Sequence, residues 1–310
     1  MNIIVTGNNG LLGKSLTHKL LKNGHRVYGF SRHMAKDTVA VKHRNFKHIK
    51  VDLRRFKSVQ DACNSIEDVK FIFHTATIHP AKNKKGISSY LDTNFKGAVN
   101  LLKACKERGF KNIIVSSSFS VYGKPEYLPI DERHPARPDN FYALTKLQAD
   151  LLFEFYARKM GFHIIILRYD GIYGLGQTMP GFMQYLFESL LKDRDVILFN
   201  NGKQKRDNVY VDDVVEANLK AMRLIRKTNF DIFNIGGGKP RTSLERARIT
   251  RRILKSKSKI ILNNKTNPFF DYDIYLDISK ARKVLGYRPT ELDQNITKMI
   301  KEGKSDAETV

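Results

Sequence analysis

Short apolar runs alternate with longer segments of helical periodicity through the first half of the chain. Ile3 to Thr6 is a brief apolar run. Leu11 to Lys22 carries apolar residues at helical spacing and stops at Asn23-Gly24, a common helix end. Arg26 to Ser31 and Phe46 to Val51 predict the next two strands, and a helix near Phe56 to Ser65 precedes a strand at Val69 to His74. Ile87 to Arg108 reads as one long helix ending at Gly109. A strand at Asn112 to Ser116, a helix at Phe141 to Met160 and a strand at His163 to Leu167 follow. Strands separated by helices imply βαβ units, and right-handed crossovers wind these into an α/β fold with a doubly wound parallel sheet.

Past Arg168 the pattern turns irregular, punctuated by Gly171, Gly174, Gly176, Pro180, Gly181 and later Gly236-Gly237-Gly238. The expected division is 1–170 for the sheet-forming domain and 171–310 for a smaller substrate-covering region that shares some strands and helices with it. The polar residues Lys301 to Val310 read as a frayed end.

Apolar residues make up 41% of the chain, ordinary for a globular protein, and no apolar run approaches the roughly 18 residues of a membrane helix. The chain opens directly on a strand-like run without a secretory pattern, so a cytoplasmic protein with no membrane span is expected. Cys63 and Cys105 read as free thiols, and the histidines show no metal-binding spacing. The net charge of +24 changes the picture, because such a field draws in anions. The basic residues are spread widely, densest at Lys82-Asn83-Lys84-Lys85 and from Arg251 to Lys259, without a basic tail or interleaved aromatics. Steering of a multiply negative small molecule suits this better than specific nucleic-acid binding.

Thr6-Gly7-Asn8-Asn9-Gly10-Leu11-Leu12-Gly13 lies between the first strand and the first helix. In that setting Gly7 permits a tight turn, Gly10 lets a pyrophosphate approach the backbone, and Gly13 allows helix to pack on strand. The helix start then offers free N–H groups and a positive dipole end. The second strand ends at Ser31-Arg32, without the acid that would accept from a ribose and repel a 2′-phosphate. This leans toward NADP over NAD. Asp52-Leu53 follows the third strand, where an aspartate can accept from an adenine amino group.

Tyr142 and Lys146 stand four apart on a predicted helix and share a face. A tyrosine is a poor base at neutral pH, but a nearby ammonium and a positive nicotinamide would favour its phenolate. Ser116-Ser117-Ser118 lies just past the fifth strand, at the carboxyl edge where such sheets bind ligands. A hydroxyl there can hold a substrate oxygen while Tyr142 handles its proton.

Together these residues resemble the extended short-chain dehydrogenases, in particular the nucleotide-sugar epimerase/dehydratase family, over nearly the whole chain. The resemblance implies a Rossmann-type fold with Ser118, Tyr142 and Lys146 as catalytic residues. It implies a dinucleotide held by Gly7, Asn9, Gly10, Leu11, Leu12, Gly13, Ser31, Arg32, Asp52, Leu53, Thr75, Ala76, Asn94, Ser116, Tyr142, Lys146 and Tyr169. Arg206-Asp207-Asn208-Val209-Tyr210-Val211-Asp212 is similar to the family's carboxyl-terminal signature, whose arginine contacts a nucleotide phosphate; that role carries onto Arg206. Ser118 and Gly171 fall on the remaining substrate positions. The family's dimers commonly pair the outer faces of the two helices expected at 87–108 and 141–160, and Leu151, Leu152, Phe153 and Phe155 suit burial on two sides. A homodimer is therefore expected.

Three positions depart from the family's pattern. Gly171 stands where many members have an asparagine that touches the nucleotide-sugar. Asn267-Pro268-Phe269-Phe270-Asp271 lacks a phosphate-clamping arginine. Ser31-Arg32 replaces the acidic end usual in NAD-retaining epimerases. The dehydratases' Asp-Glu pair is also missing, since Phe119 and Ser120 stand there. The leading expectation is an NAD(P)-dependent nucleotide-sugar epimerase working through a transient keto-sugar. An NADPH-dependent carbonyl reductase is the nearest alternative, and a non-catalytic dinucleotide-sensing or RNA-associated protein the more distant one.

Overall fold

Strand β1 (Asn2–Thr6) is apolar on both faces, and its Ile3 and Ile4 are fully buried in cores on opposite sides of the sheet. That is the demand on a parallel strand covered by helices above and below. The computed structural model describes residues 1–34, 39–79, 86–177, 181–266 and 272–308. The basic run Lys82 to Lys85, Pro180 and the segment Asn267 to Asp271 lie outside the described residues.

The chain continues through α1 (Leu11–Lys22), β2 (Arg26–Ser31), β3 (Phe46–Lys50), α2 (Phe56–Asn64) and β4 (Val69–His74). Next come α3 (Ile87–Tyr90), a π-helical turn (Leu91–Lys96), α4 (Gly97–Arg108), β5 (Asn112–Ser118), α5 (Phe141–Lys159) and β6 (His163–Tyr169). The carboxyl-terminal part holds β7 (Ile172–Tyr173), α6 (Phe182–Leu191), β8 (Val196–Leu198), β9 (Lys205–Arg206), β10 (Val209–Tyr210), α7 (Val211–Leu224) and β11 (Phe230–Ile235). It ends with β12 (Arg241–Thr242), α8 (Ser243–Leu254), β13 (Ile260–Leu262) and α9 (Leu292–Glu308).

The main sheet is parallel with order β11-β6-β5-β4-β1-β2-β3. Strand order reverses between β1 and β4, which opens a crevice at their carboxyl ends. Leu16 and Leu20 of α1 and Val214 of α7 cover one face. Val59 of α2, Leu101 of α4 and Phe153 of α5 cover the other. β11 pairs with β6 from Phe230↔Ile164 to Ile235↔Tyr169, so the late part of the chain extends the main sheet. Three two-stranded sheets, β10-β7, β12-β9 and β13-β8, frame the region beyond β6.

Several expected boundaries move. The helix expected over 87–108 is interrupted by the π-helical turn, which turns Asn94 inward to 3% exposure. β5 runs on through Ser118, so the serines expected beyond the strand form its last residues. The expected frayed end is helical in α9 as far as Glu308.

Candidate active site

The turn after β1 is closed by backbone. The Gly7 N–H donates to the Phe30 carbonyl at 2.8 Å, and the Gly10 N–H to the Gly7 carbonyl at 2.9 Å. Gly7 has φ +71°, and a Cβ there would lie 2.7 Å from the Ala76 Cα. A Cβ on Gly13 would lie 2.3 Å from the Gly7 oxygen. Packing therefore requires both glycines. At Gly10 a Cβ would meet only the Gly7 oxygen, at 3.4 Å, so its bareness serves something other than packing. Gly10 is the N-cap of α1; no side chain caps the helix and no acid sits in its first turn. The N–H groups of Leu11, Leu12 and Gly13 thus present a positive helix end. This cradle fits a dinucleotide pyrophosphate.

At the end of β2, Asn9 Nδ2–H donates to Ser31 Oγ at 3.0 Å and to the His33 carbonyl. Ser31 Oγ also lies 2.9 Å from His48 Nε2, and Arg32 is exposed beside it. Asp52 accepts from Arg54 Nε and Nη2 at 2.8 and 2.7 Å, and these bonds hold its carboxyl below its ordinary value. The Leu53 carbonyl accepts from Asn100 at 2.7 Å, which fixes the wall behind Asp52. Thr75 N–H and Oγ1–H donate to the Thr6 carbonyl at 3.2 and 2.7 Å, which ties Ala76 against Gly7.

Tyr142, Lys146 and Asp150 follow one another at four-residue spacing on α5, whose start is capped by Asn140 accepting from the Ala143 N–H at 3.0 Å. The hydroxyls of Ser118 and Thr77 lie near the Tyr142 phenol and favour its ionised form. Ser118 Oγ in turn accepts from the Ser120 N–H at 3.2 Å and from the Ser120 hydroxyl at 2.9 Å. Burial pushes the phenol up to about 12, although Ser118 and Thr77 pull the other way. The expected lowering invoked a nearby ammonium together with a positive nicotinamide; in the protein alone the Lys146 ammonium, 4% exposed, donates to the Ser116 carbonyl at 2.5 Å. Burial lowers the lysine's own pKa, with Asp150 opposing.

Behind the lysine lies a buried ion pair. Asp150 Oδ2 accepts from Ser117 Oγ at 2.9 Å and from Arg168 Nε at 3.1 Å, and the arginine lies 4.9 Å from the centroid of the Tyr122 ring. Asn94 donates to Thr145 Oγ1 at 3.2 Å and the Ile78 carbonyl at 3.4 Å, and accepts from the Ile78 N–H at 2.8 Å and Thr77 Oγ1 at 3.1 Å. In the protein alone its donor and acceptor capacity is filled, and its side chain positions the Thr77 loop. Tyr169 is buried, and its hydroxyl accepts from Asn218 at 2.9 Å.

Beyond β6 the site changes character. Arg206 Nη2–H donates to Asp170 Oδ1 at 3.2 Å, and its guanidinium lies 4.7 Å from the Phe119 ring centroid. Asp207 is buried, and burial together with the adjacent Asp170 drives its carboxyl well above the usual range. A Cβ on Gly171 would lie 2.5 Å from Asn208 Nδ2. An asparagine amide thus occupies the space beside Gly171 from another strand connection. The Asn208 carbonyl oxygen accepts from Arg246 of α8.

The structure brings Ser118, Tyr142 and Lys146 to one carboxyl edge of the sheet. Such an arrangement can move a proton from an alcohol while a dinucleotide held over β1 takes a hydride. Thr77, Asp150, Arg168, Asn208 and Arg246 were not anticipated as site residues. Asp150 alone had a local signal, four residues past Lys146 on the same face. Among the described residues no cluster of three or more His, Cys, Asp or Glu could hold a metal, and no helix is long and apolar enough to cross a membrane.

Comparison with known proteins places these features in a family context. The model of the NAD dependent epimerase/dehydratase family matches residues 3–236. A putative UDP-glucose 4-epimerase of Methanocaldococcus jannaschii is 31% identical over 99% of this chain and 100% of its own. The solved UDP-glucose 4-epimerase of Thermotoga maritima with UDP-glucose superimposes with a TM-score of 0.87, 26% identity and coverage of 99% of this chain and 100% of that one. A UDP-glucuronic acid 4-epimerase from Bacillus cereus in complex with NAD gives 0.82, 26%, 97% and 99% for the same measures.

Proposed function

Because this chain belongs to the NAD-dependent epimerase/dehydratase family, we propose that it is a nucleotide-sugar epimerase whose proton-transfer group is Tyr142. The observation that carries this reading is Tyr142 on α5 near Ser118 at the end of β5, on the same sheet edge as the Gly7–Gly13 cradle. A dinucleotide held by the Gly7–Gly13 cradle would supply reversible hydride-accepting chemistry at this edge of the sheet. Tyr142 takes the proton of the sugar hydroxyl and gives it back. Ser118 holds the reacting oxygen in line with the phenol. Lys146, anchored on the Ser116 carbonyl, would hold the nicotinamide ribose. Arg206 meets the sugar nucleotide's phosphate by a charge-assisted bond.

NADP is the finer reading of the cofactor. Ser31, exposed Arg32 and His48 stand at the end of β2, where a 2′-phosphate would meet a cation and hydrogen-bonding groups. A homodimer is the finer reading of assembly. Phe141, Leu144, Leu151 and Phe155 leave one face of α5 apolar and exposed, while Phe153 is buried in the core. Buried free thiols at Cys63 and Cys105 suit a cytoplasmic setting.

The test is to incubate the purified protein with UDP-glucose or UDP-glucuronic acid and either dinucleotide, and to analyse the sugar product. A C4 epimer should form without net cofactor reduction. Stoichiometric consumption of NADPH, or no change in any sugar nucleotide, would overturn the reading.

A further inference from the structure

Arg246 is 4% exposed, yet its partners are neutral. Nη1–H donates to Asn208 Oδ1, Nη2–H to Ser243 Oγ at 3.0 Å, and Nε–H to the Thr242 carbonyl at 3.4 Å. The guanidinium lies 4.5 Å from the Phe182 ring centroid. The nearby carboxylates are engaged elsewhere. Asp170 pairs with Arg206, Glu291 with Arg241, Asp213 accepts from Thr290, and Asp207 lies against Asp170 with its carboxyl raised well above the ordinary value. Asp170 and Asp207 favour the charged guanidinium, but burial and the like charge of Arg206 outweigh them and bring its pKa down to about 9. A buried cation held by amide, hydroxyl and carbonyl oxygens keeps its full charge, and its five donors are not exhausted by three contacts.

Arg206, Asn208 and Arg246 line the same cavity. Asn208 links them to the sheet edge, with its amide nitrogen at Gly171 and its oxygen on Arg246. We propose that Arg246 is a second anion-binding guanidinium of the substrate site, set with Arg206 to hold the diphosphate of a nucleotide-sugar. This inference rests on the nucleotide-sugar reading above. The planar fork of arginine suits two phosphate oxygens, and an incoming dianion provides the countercharge that the surrounding residues do not.

The test compares full-length wild type with Arg246→Met, Arg246→Lys and Arg206→Met by calorimetric titration with UDP, with UDP-glucose and separately with NAD. Arg246→Met should weaken UDP and UDP-glucose roughly 10- to 100-fold, as for loss of a charged hydrogen bond, and leave NAD affinity unchanged. Its ligand-free melting temperature should equal or exceed that of wild type, because an uncompensated buried charge is gone. Arg246→Lys should recover part of the affinity. The proposal is overturned if Arg246→Met binds UDP as wild type does while Arg206→Met does not. It is equally overturned if UDP and NAD affinity fall together with the melting temperature, which marks a structural role. If Arg246→Met does not fold, unchanged UDP affinity in Arg246→Lys overturns it and a selective loss supports it. A wild type that binds neither UDP nor UDP-glucose rejects the nucleotide-sugar reading itself, and this inference with it.

Discussion

At the β1 end the chain meets an anion with backbone. Gly7, Gly10 and Gly13 shape a turn whose free donors belong to the first turn of α1, and no buried ionised side chain is needed. Beyond β6 the chain uses buried charge: Asp170 with Arg206, a buried Asp207 whose carboxyl is raised well above its ordinary value, and Arg246 hydrogen-bonded to neutral acceptors. The first arrangement is complete and indifferent to pH. The second is held in tension by desolvation, and its protonation state depends on what surrounds it. Between them, the Asp150–Arg168 pair and Lys146 belong to the second style, while the Ser118 and Tyr142 hydroxyls join the two.

The largest effect should come from breaking the buried pair behind the lysine. Asp150→Ala leaves Arg168, 7% exposed, without its carboxylate and should cost about 3–5 kcal/mol in urea denaturation. A loss under 1 kcal/mol would show that water repairs the site. Gly13→Ala drives a methyl onto the Gly7 oxygen and should cost about 3 kcal/mol of stability. Gly10→Ala should cost under about 1 kcal/mol and act instead on dinucleotide affinity. Equal effects on stability at both glycines would erase the distinction between packing glycine and ligand glycine. Arg32→Asp should weaken NADP roughly 10- to 100-fold in equilibrium titrations while NAD holds or improves. Equal losses would remove Arg32 from phosphate recognition.

The smallest effect is expected at Asp207. Its folded carboxyl titrates well above its ordinary value of 3.8, so folding favours its protonated form. Such a group favours the fold most at low pH, and the benefit fades as pH rises from the unfolded value toward the folded one. Asp207→Asn keeps the shape and a donor toward Asp170. Stability at neutral pH should therefore change by less than about 1 kcal/mol, and the decline with rising pH should flatten. Asp213, raised to about 6, keeps part of that decline in place. A steeper decline in the variant would mean that Asp207 is ionised in the fold.

The contrast also explains what could be read from the chain. Gly7, Gly10 and Gly13, the Tyr142–Lys146 spacing and the serines of β5 are local signals, because a turn, a helix face and a strand end each bring near neighbours together. The π-helical turn at Leu91–Lys96 escaped, since helical periodicity does not register one extra residue in a turn. Asn94 was located near the site, but its saturation by Thr77, Ile78 and Thr145 depends on contacts up to 51 residues away. Asn208 was quoted within the carboxyl-terminal signature, but its contact with Arg246 was invisible for the same reason, as α8 reaches the β9–β10 connection only through tertiary packing. The expected lowering of the Tyr142 pKa counted the two cations and left out burial, which dominates in the protein alone.

The central claim is that Tyr142 carries the proton in a site completed by the dinucleotide. The direct measurement is turnover of UDP-glucose by wild type and Tyr142→Phe, with NAD and NADP affinity determined on the same samples. Removing one phenolic oxygen from α5 leaves packing nearly unchanged. Turnover should fall about 100- to 10,000-fold, the range for losing general acid–base catalysis, while dinucleotide affinity stays within a few-fold of wild type. Near-normal turnover in a folded Tyr142→Phe protein would contradict the assignment of the proton to Tyr142, and with it the mechanism.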